Sequence, residues 1–220
     1  MPQKRKLERP HLVVVVSGPS GAGKSTLCTE FIRDNEETSE LIVTTTTRER
    51  RRGEVDGQDY NFVTVEEFQR GVSAGEFLEH ALVHDHYYGS PRQAVEQSIQ
   101  RGKDVILEID VQGGLSVKKA MPSAVLVFVI PSDLRVLRQR LMGRGTDSQE
   151  VIERRLRNAK REMERLVDYQ YFLFNDDRVE SAVATLKTIL EAERNRISRY
   201  DTHRLFNPEL LESALEAAKA

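Results

Sequence analysis

Apolar and polar residues change their period several times along the chain, and each change predicts an element. Residues 11–18 read HLVVVVSG, an unbroken β-branched run ending in glycine, which predicts a strand buried on both faces. Over residues 24–34, Leu27 and Phe31 stand at i, i+4 spacing, which predicts a helix with one apolar face. Strand, glycine-rich turn and helix in that order predict an α/β fold, a parallel sheet core with helices on both faces. Residues 41–90 break this rhythm. Short β-rich stretches (LIVTTTT, DYNFVT, EFLEHALV) alternate with glycines and one short helix over residues 65–73. They predict a small, mostly antiparallel insert. The alternation then resumes with a helix over 91–101, a strand over 104–110, a helix near 113–120 and a strand over 124–130. FLF at 172–174 predicts one more strand, before a long helix starting near Val179.

Composition narrows the class. The chain has 220 residues, enough for one domain with inserts. Charge nearly balances, 33 Lys+Arg against 35 Asp+Glu, which argues against a surface built to hold nucleic acid or anionic membrane. Cys28 is the single cysteine, so no intramolecular disulfide and no all-cysteine metal cluster can form. Apolar runs such as residues 12–16 and 124–130 are too short to span a bilayer, and the polar start has no signal-like apolar stretch. The expectation is a cytoplasmic protein. Residues 1–10, with four basic side chains and one acid, predict a disordered arm open to weak partner contacts. Residues 135–165 are helical in pattern and carry ten Lys or Arg against five acids. After Tyr200, a break at Asn207-Pro208 precedes an Ala/Leu/Glu-rich helical tail, residues 199–220 in all.

The first chemistry-bearing motif follows the first strand. Gly18, Pro19, Ser20, Gly21, Ala22, Gly23, Lys24 and Ser25 satisfy the phosphate-binding pattern G-x-x-x-x-G-K-[ST]. Glycines let successive N–H groups turn inward onto phosphate oxygens, and the helix that follows adds the positive end of its dipole. Lys24 is suited to the β- and γ-phosphates, and the Ser25 hydroxyl to Mg²⁺. Such a loop serves NTPases and small-molecule kinases alike.

The insert decides between them. It reads TTTTRERRRGEVDGQDYNFVT (44–64) and GEFLEHALVHDHYYGSP (75–91). Through T-T-R, G-E-V-D-G-x-D-Y-x-F, G-x-F-L-E and Y-Y-G-[ST], residues 11–198 resemble the guanylate kinase family, which moves a phosphoryl group from ATP to GMP. The resemblance implies a P-loop nucleoside-monophosphate kinase fold with a mostly β GMP-binding insert (about 42–90) and a basic helical lid (about 138–160). It implies that ATP is held by residues 18–25 together with Thr26 and Asn175. The GMP phosphate is expected at Arg48, Arg51, Tyr60 and Tyr88, where guanidinium forks and phenol donors suit a dianion. Guanine is expected at Thr44, Glu79 and Ser90.

Glu108 and Asp110 close the apolar run V-I-L-E-I-D and, on one strand, share a face. An acid leaving the carboxyl end of a buried strand beside a phosphate loop suits Mg²⁺ or its waters; the lesser alternative is a strand-end acid that caps the next helix. By resemblance, Asp110 is the metal-associated aspartate and Glu108 lies near guanine. Arg140, Arg144 and Arg155 match the lid arginines that close on ATP, whereas Arg154 and Arg157 read as solvated. The family pattern is not followed everywhere. Glu49-Arg50-Arg51-Arg52 stands where many relatives have prolines, Thr44 where they have serine, and Asp85-His86 in place of a Gly-Asn-like turn. These point to a looser phosphate loop and an altered hairpin turn. The implied activity is Mg-dependent transfer from ATP to GMP and dGMP in guanine nucleotide metabolism, with no nucleic acid required. Two other readings exist. Non-catalytic peptide-binding relatives typically lose the loop lysine or lid arginines, which this chain keeps, and a sugar-phosphate kinase would not need Thr44, Glu79 and Ser90.

Overall fold

A chain segment apolar at every position has to be covered on both sides, and Val13–Ser17 takes the central place in the sheet. The computed structural model describes residues 9–83, 85–131, 137, 149–175 and 178–200, with only the backbone for 149–152 and 155. In chain order the elements are β1 (Val13–Ser17), α1 (Lys24–Arg33), β2 (Ser39–Leu41), β3 (Thr45–Thr46), β4 (Asn61–Phe62), α2 (Val65–Ser73), β5 (Phe77–Val83), β6 (His86–Pro91) and α3 (Arg92–Gln100). They continue with β7 (Asp104–Glu108), α4 (Val111–Ala120), β8 (Val125–Pro131), α5 (Gln149–Glu164), β9 (Tyr171–Asn175) and α6 (Val179–Arg194). The main sheet runs β2-β7-β1-β8-β9, every pair parallel. Alternate residues of β1 feed two cores. Val14 and Val16 pack with Leu27 and Phe31 of α1 and Leu186 of α6, while Val13 and Val15 pack with Val95 of α3 and Val117 of α4. Side chains buried this fully contribute on the order of 1.5–3 kcal/mol each. The sheet therefore has helices on both faces, as expected.

The insert forms a second sheet, β4-β3-β6-β5. Its β3–β6 and β5–β6 pairs are antiparallel and its β3–β4 pair is parallel. Helix α2 begins where a T-x-x-E sequence allows a reciprocal cap: Glu67 N–H donates to Thr64 Oγ1 at 3.1 Å, and Thr64 N–H to Glu67 Oε2 at 2.8 Å. At the β5–β6 hairpin Asp85 takes φ 68°, the left-handed conformation that aspartate tolerates better than most side chains. The altered turn is built on that residue.

Two expectations shift. The strand expected over 104–110 stops at Glu108, because Asp110 turns to cap α4. Arg9, expected in a disordered arm, donates to the buried Asp104 at 2.8 Å. Asp104 also accepts from Leu12 N–H at 2.9 Å and from Arg194, which ties the start of β1 to the end of α6. Nearby, buried Glu193 accepts from Tyr171, Arg196 and Arg199, so residue 199 is anchored to the core, in a 3-10 turn over Ile197–Arg199. Residues 1–8 and 201–220 lie outside the described residues. Among the described residues, no helix is long and apolar enough to cross a membrane.

Candidate active site

The carboxyl end of the parallel sheet is where α/β folds gather polar chemistry, because strands end and helices begin there. At the end of β1, Gly18 adopts φ 147°, and a β-carbon built on it would lie 2.4 Å from the Val129 carbonyl oxygen of β8. Only glycine fits so close to a neighbouring strand. Gly21 (φ 87°) and Gly23 (φ 83°) then bend the chain into α1. Lys24 Nζ donates to the carbonyls of Gly18 (2.7 Å) and Pro19 (3.2 Å), so the ammonium closes the loop it belongs to. Asn175, at the end of β9, donates from Nδ2 to the Ala22 (2.8 Å) and Gly23 (3.1 Å) carbonyls. It is buried, and it braces the loop from below.

Acidic groups surround the loop. Ser25 Oγ donates to Glu108 Oε1 at 2.5 Å. Asp110 Oδ1 accepts the backbone N–H groups of Gln112 (2.7 Å) and Gly113 (3.0 Å), two otherwise unpaired donors in the first turn of α4. The capping alternative for this aspartate is thus realised, and its carboxylate also lines a cleft of about 850 Å³ between β5, α4 and α5. Glu162 of α5 enters the same cleft. Burial raises its pKa; Lys24 and a backbone N–H from Ser20 oppose the shift, and the charge of Asp110 reinforces it. Glu162 was not singled out from the sequence. The available signal was its position three residues after buried Ala159, an acid on the apolar stripe of a basic helix.

The insert collects the expected acceptor residues. Thr44, Glu79 and Ser90 are all buried, and Ser90 Oγ donates to Glu79 Oε1 at 2.7 Å across the β5–β6 ladder. Burial pushes the Glu79 carboxyl up to about 7, with Asp110's charge adding to it and the Ser90 hydroxyl opposing. Arg48 lies over the Tyr60 ring at 5.3 Å and makes a two-pronged bond to Glu54 (2.8 and 3.1 Å). Tyr60 and Tyr88 meet edge to face at 6.0 Å. Burial, then the charge of Glu108, pushes Tyr60 up to about 12, so Glu108 acts on both the P-loop and the insert. Arg51 is exposed, and its backbone N–H donates to Glu54 Oε2 at 2.8 Å. Glu54 is therefore what closes the proline-free 48–54 loop. Its place in the G-E-V-D-G stretch gives no sign of this role.

Arg140 and Arg144 lie outside the described residues; of Arg155 only the backbone, in α5, is described. Arg154 and Arg157 are exposed, Arg157 beside Glu153 at 3.8 Å, in keeping with a solvated face.

The chain was compared with known proteins. A family model described as guanylate kinase matches residues 10–193. Relatives carrying the name guanylate kinase include those of Clostridioides difficile (43% identical over 189 residues, 86% of this chain and 91% of the relative) and Desulfitobacterium hafniense (47% over 194 residues, 88% and 96%). That of Lactococcus lactis is 48% identical over 188 residues, covering 86% and 91%. Among solved structures, the guanylate kinase from Anaplasma phagocytophilum superimposes with a TM-score of 0.76 at 32% identity, over 94% of this chain and 96% of that one.

Proposed function

The chain belongs to the guanylate kinase family, and on that premise we propose that it moves the γ-phosphoryl group of Mg-ATP to GMP, and to dGMP, giving ADP and the nucleoside diphosphate. It is a nucleoside monophosphate kinase, and the proposal concerns how these residues do the work. One observation carries it: the fold holds two groups, a buried carboxylate paired with a hydroxyl, Glu79 with Ser90 at 2.7 Å, and Lys24 inside its glycine loop, 2.7 Å from the Gly18 carbonyl. A purine edge with two adjacent donors fits the first group, and nucleotide phosphates fit the loop around the second.

In this reading Lys24 leaves the Gly18 and Pro19 carbonyls and moves onto the β- and γ-phosphates, while residues 18–26 cradle the donor. Asn175 holds the loop backbone in shape. Arg48, Arg51, Tyr60 and Tyr88 grip the GMP phosphate, whose oxygen attacks the γ-phosphorus as the bond to the β-phosphate oxygen breaks. Glu54 orients the Arg48 fork. Thr44, Glu79 and Ser90 read guanine, with Glu108 nearby. Arg140, Arg144 and Arg155 neutralise charge as the lid closes and water is excluded. No covalent enzyme intermediate is required; positioning and charge stabilisation suffice.

Ser25 Oγ and the Asp110 carboxylate are hard oxygen donors next to Glu108, and Mg²⁺ takes few protein ligands beside phosphates and water. The residues present therefore fit the ion. When bound, it neutralises phosphate charge and aligns the two oxygens of the transfer. The proposed setting is the cytoplasm, in guanine nucleotide metabolism, with no nucleic acid needed.

The test is ADP formation from ATP in a coupled assay against GMP, dGMP, AMP, CMP and UMP. Turnover dependent on GMP and dGMP supports the reading. ADP release that no nucleoside monophosphate stimulates, with a sugar phosphate as the active acceptor, overturns it.

A further inference from the structure

The first turn of α4 contains two adjacent buried glycines with different neighbours. A β-carbon built on Gly114 would meet the Tyr169 hydroxyl at 2.7 Å, Ser17 Oγ at 2.9 Å and Val15 Cγ1 at 3.1 Å, all part of the packed sheet face. Gly113 faces the insert. A β-carbon there would lie 2.8 Å from Glu79 Oε2 and 3.3 Å from Glu79 Cδ. The Gly113 N–H meanwhile donates to Asp110 Oδ1 at 3.0 Å. One residue thus touches the carboxylate assigned to guanine and the aspartate assigned to the metal side. On its other oxygen Glu79 is held by Ser90 at 2.7 Å, so the carboxylate is fixed between a hydroxyl and a bare helix turn. Glycine inside a helix is destabilising relative to alanine. Its backbone here needs no positive φ. The room it leaves for Glu79 is what sets this position apart from an ordinary helical site.

We propose that Gly113 is a positioning residue for guanine selection: the side chain it lacks sets where the Glu79 carboxylate stands, and its N–H ties that setting to Asp110. The inference rests on the assignment of guanine to Glu79. Two donors on one base edge must both meet carboxylate oxygens at about 2.7–3.2 Å. A methyl group at 113 would need the contact to lengthen from 2.8 to about 3.4 Å before it became ordinary. The atoms in the way are the far end of a flexible side chain, so the carboxylate yields and the helix stays.

Gly113→Ala is expected to keep the wild-type melting temperature or exceed it, while kcat/KM for GMP falls ~10–100-fold, the scale of a misplaced binding group. AMP use should not fall with it, so the GMP/AMP ratio drops by a similar factor. Gly114→Ala, against the hydroxyls of Tyr169 and Ser17, should instead lower stability and leave that ratio alone. The deciding measurement is a double-mutant cycle with Glu79→Ala. With the carboxylate gone, adding Gly113→Ala should change kcat/KM for GMP less than ~2-fold. Equal losses in both backgrounds, or unchanged GMP use in Gly113→Ala, overturn the proposal. If Gly113→Ala alone fails to fold, the double variant decides: recovered folding supports the contact, and continued failure refutes it. Unchanged GMP use in Glu79→Ala itself would strike the guanine assignment, an outcome separate from the others.

Discussion

Between pH 6 and pH 8 the enzyme should gain GMP use through one buried carboxylate. Glu79 is 6% exposed, and burial, with the charge of Asp110, pushes its pKa from 4.5 up to about 7. Guanine presents two adjacent donors, N1–H and the N2 amino group, which only the ionised carboxylate can accept together. A group with a pKa of about 7 is ~10% ionised at pH 6 and ~90% at pH 8, so kcat/KM for GMP should rise ~10-fold across that interval from Glu79 alone. Folding stability runs the opposite way. The pKa is near 4.5 in the unfolded chain and about 7 in the folded one, so the stabilising contribution is full below pH 4.5 and is lost as pH rises through 7. The gap is worth ~3 kcal/mol. The apo-protein therefore loses most of this stability between pH 4.5 and 7, before the carboxylate is fully ionised and able to read guanine. The assay is kcat/KM for GMP in overlapping buffers at saturating Mg-ATP, for wild type and Glu79→Gln. The phosphate of GMP also titrates near pH ~6, but equally for both proteins, so their ratio isolates Glu79. A ratio that stays flat across the range would refute the reasoning.

Lys24→Ala should cut turnover on the order of 10²-fold or more with the fold intact, since its ammonium acts on phosphate charge; near-wild-type turnover in steady-state assays would sink that role. Glu54→Ala frees the Arg48 fork, and the KM for GMP should rise ~10-fold with a smaller change in kcat, read from initial rates over a GMP series. Asp104→Ala strands Arg194 and Leu12 N–H at the opposite end of the strands from the P-loop. Chemical denaturation should show a loss of ~3 kcal/mol, while kcat per folded molecule stays at the wild-type level.

The three central strands of the main sheet, β7, β1 and β8, were legible because they are apolar on both faces and the P-loop punctuates them; the short edge strand β2, Ser39–Leu41, has no such signal. Helix α2 was legible to the residue, and the structure shows Thr64 and Glu67 capping its start. The acceptor residues could be named only through family resemblance. Nothing in the periodicity of EFLEHALV distinguishes Glu79 from a solvent-facing acid, yet it is among the most buried charged side chains described. What stayed hidden was long-range. Asn175 meets Ala22 and Gly23 across more than 150 positions, Arg9 meets Asp104, and Gly113 meets Glu79 through a space rather than a bond. Such contacts depend on how the elements pack, and local pattern carries no record of them. The end of β7 was misjudged for a related reason. Ile109 and Asp110 keep the strand alternation in sequence, but capping two N–H groups of α4 outweighs one more step of ladder.

The proposed reaction is transfer between two nucleotides, one held at the P-loop and one at the insert. The most direct measurement supplies ATP labelled at the γ-phosphate together with GMP and Mg²⁺, and resolves the products. The account predicts that the label appears in the β-phosphate of GDP, at a rate set by GMP. Label released as inorganic phosphate at a rate indifferent to GMP would contradict it.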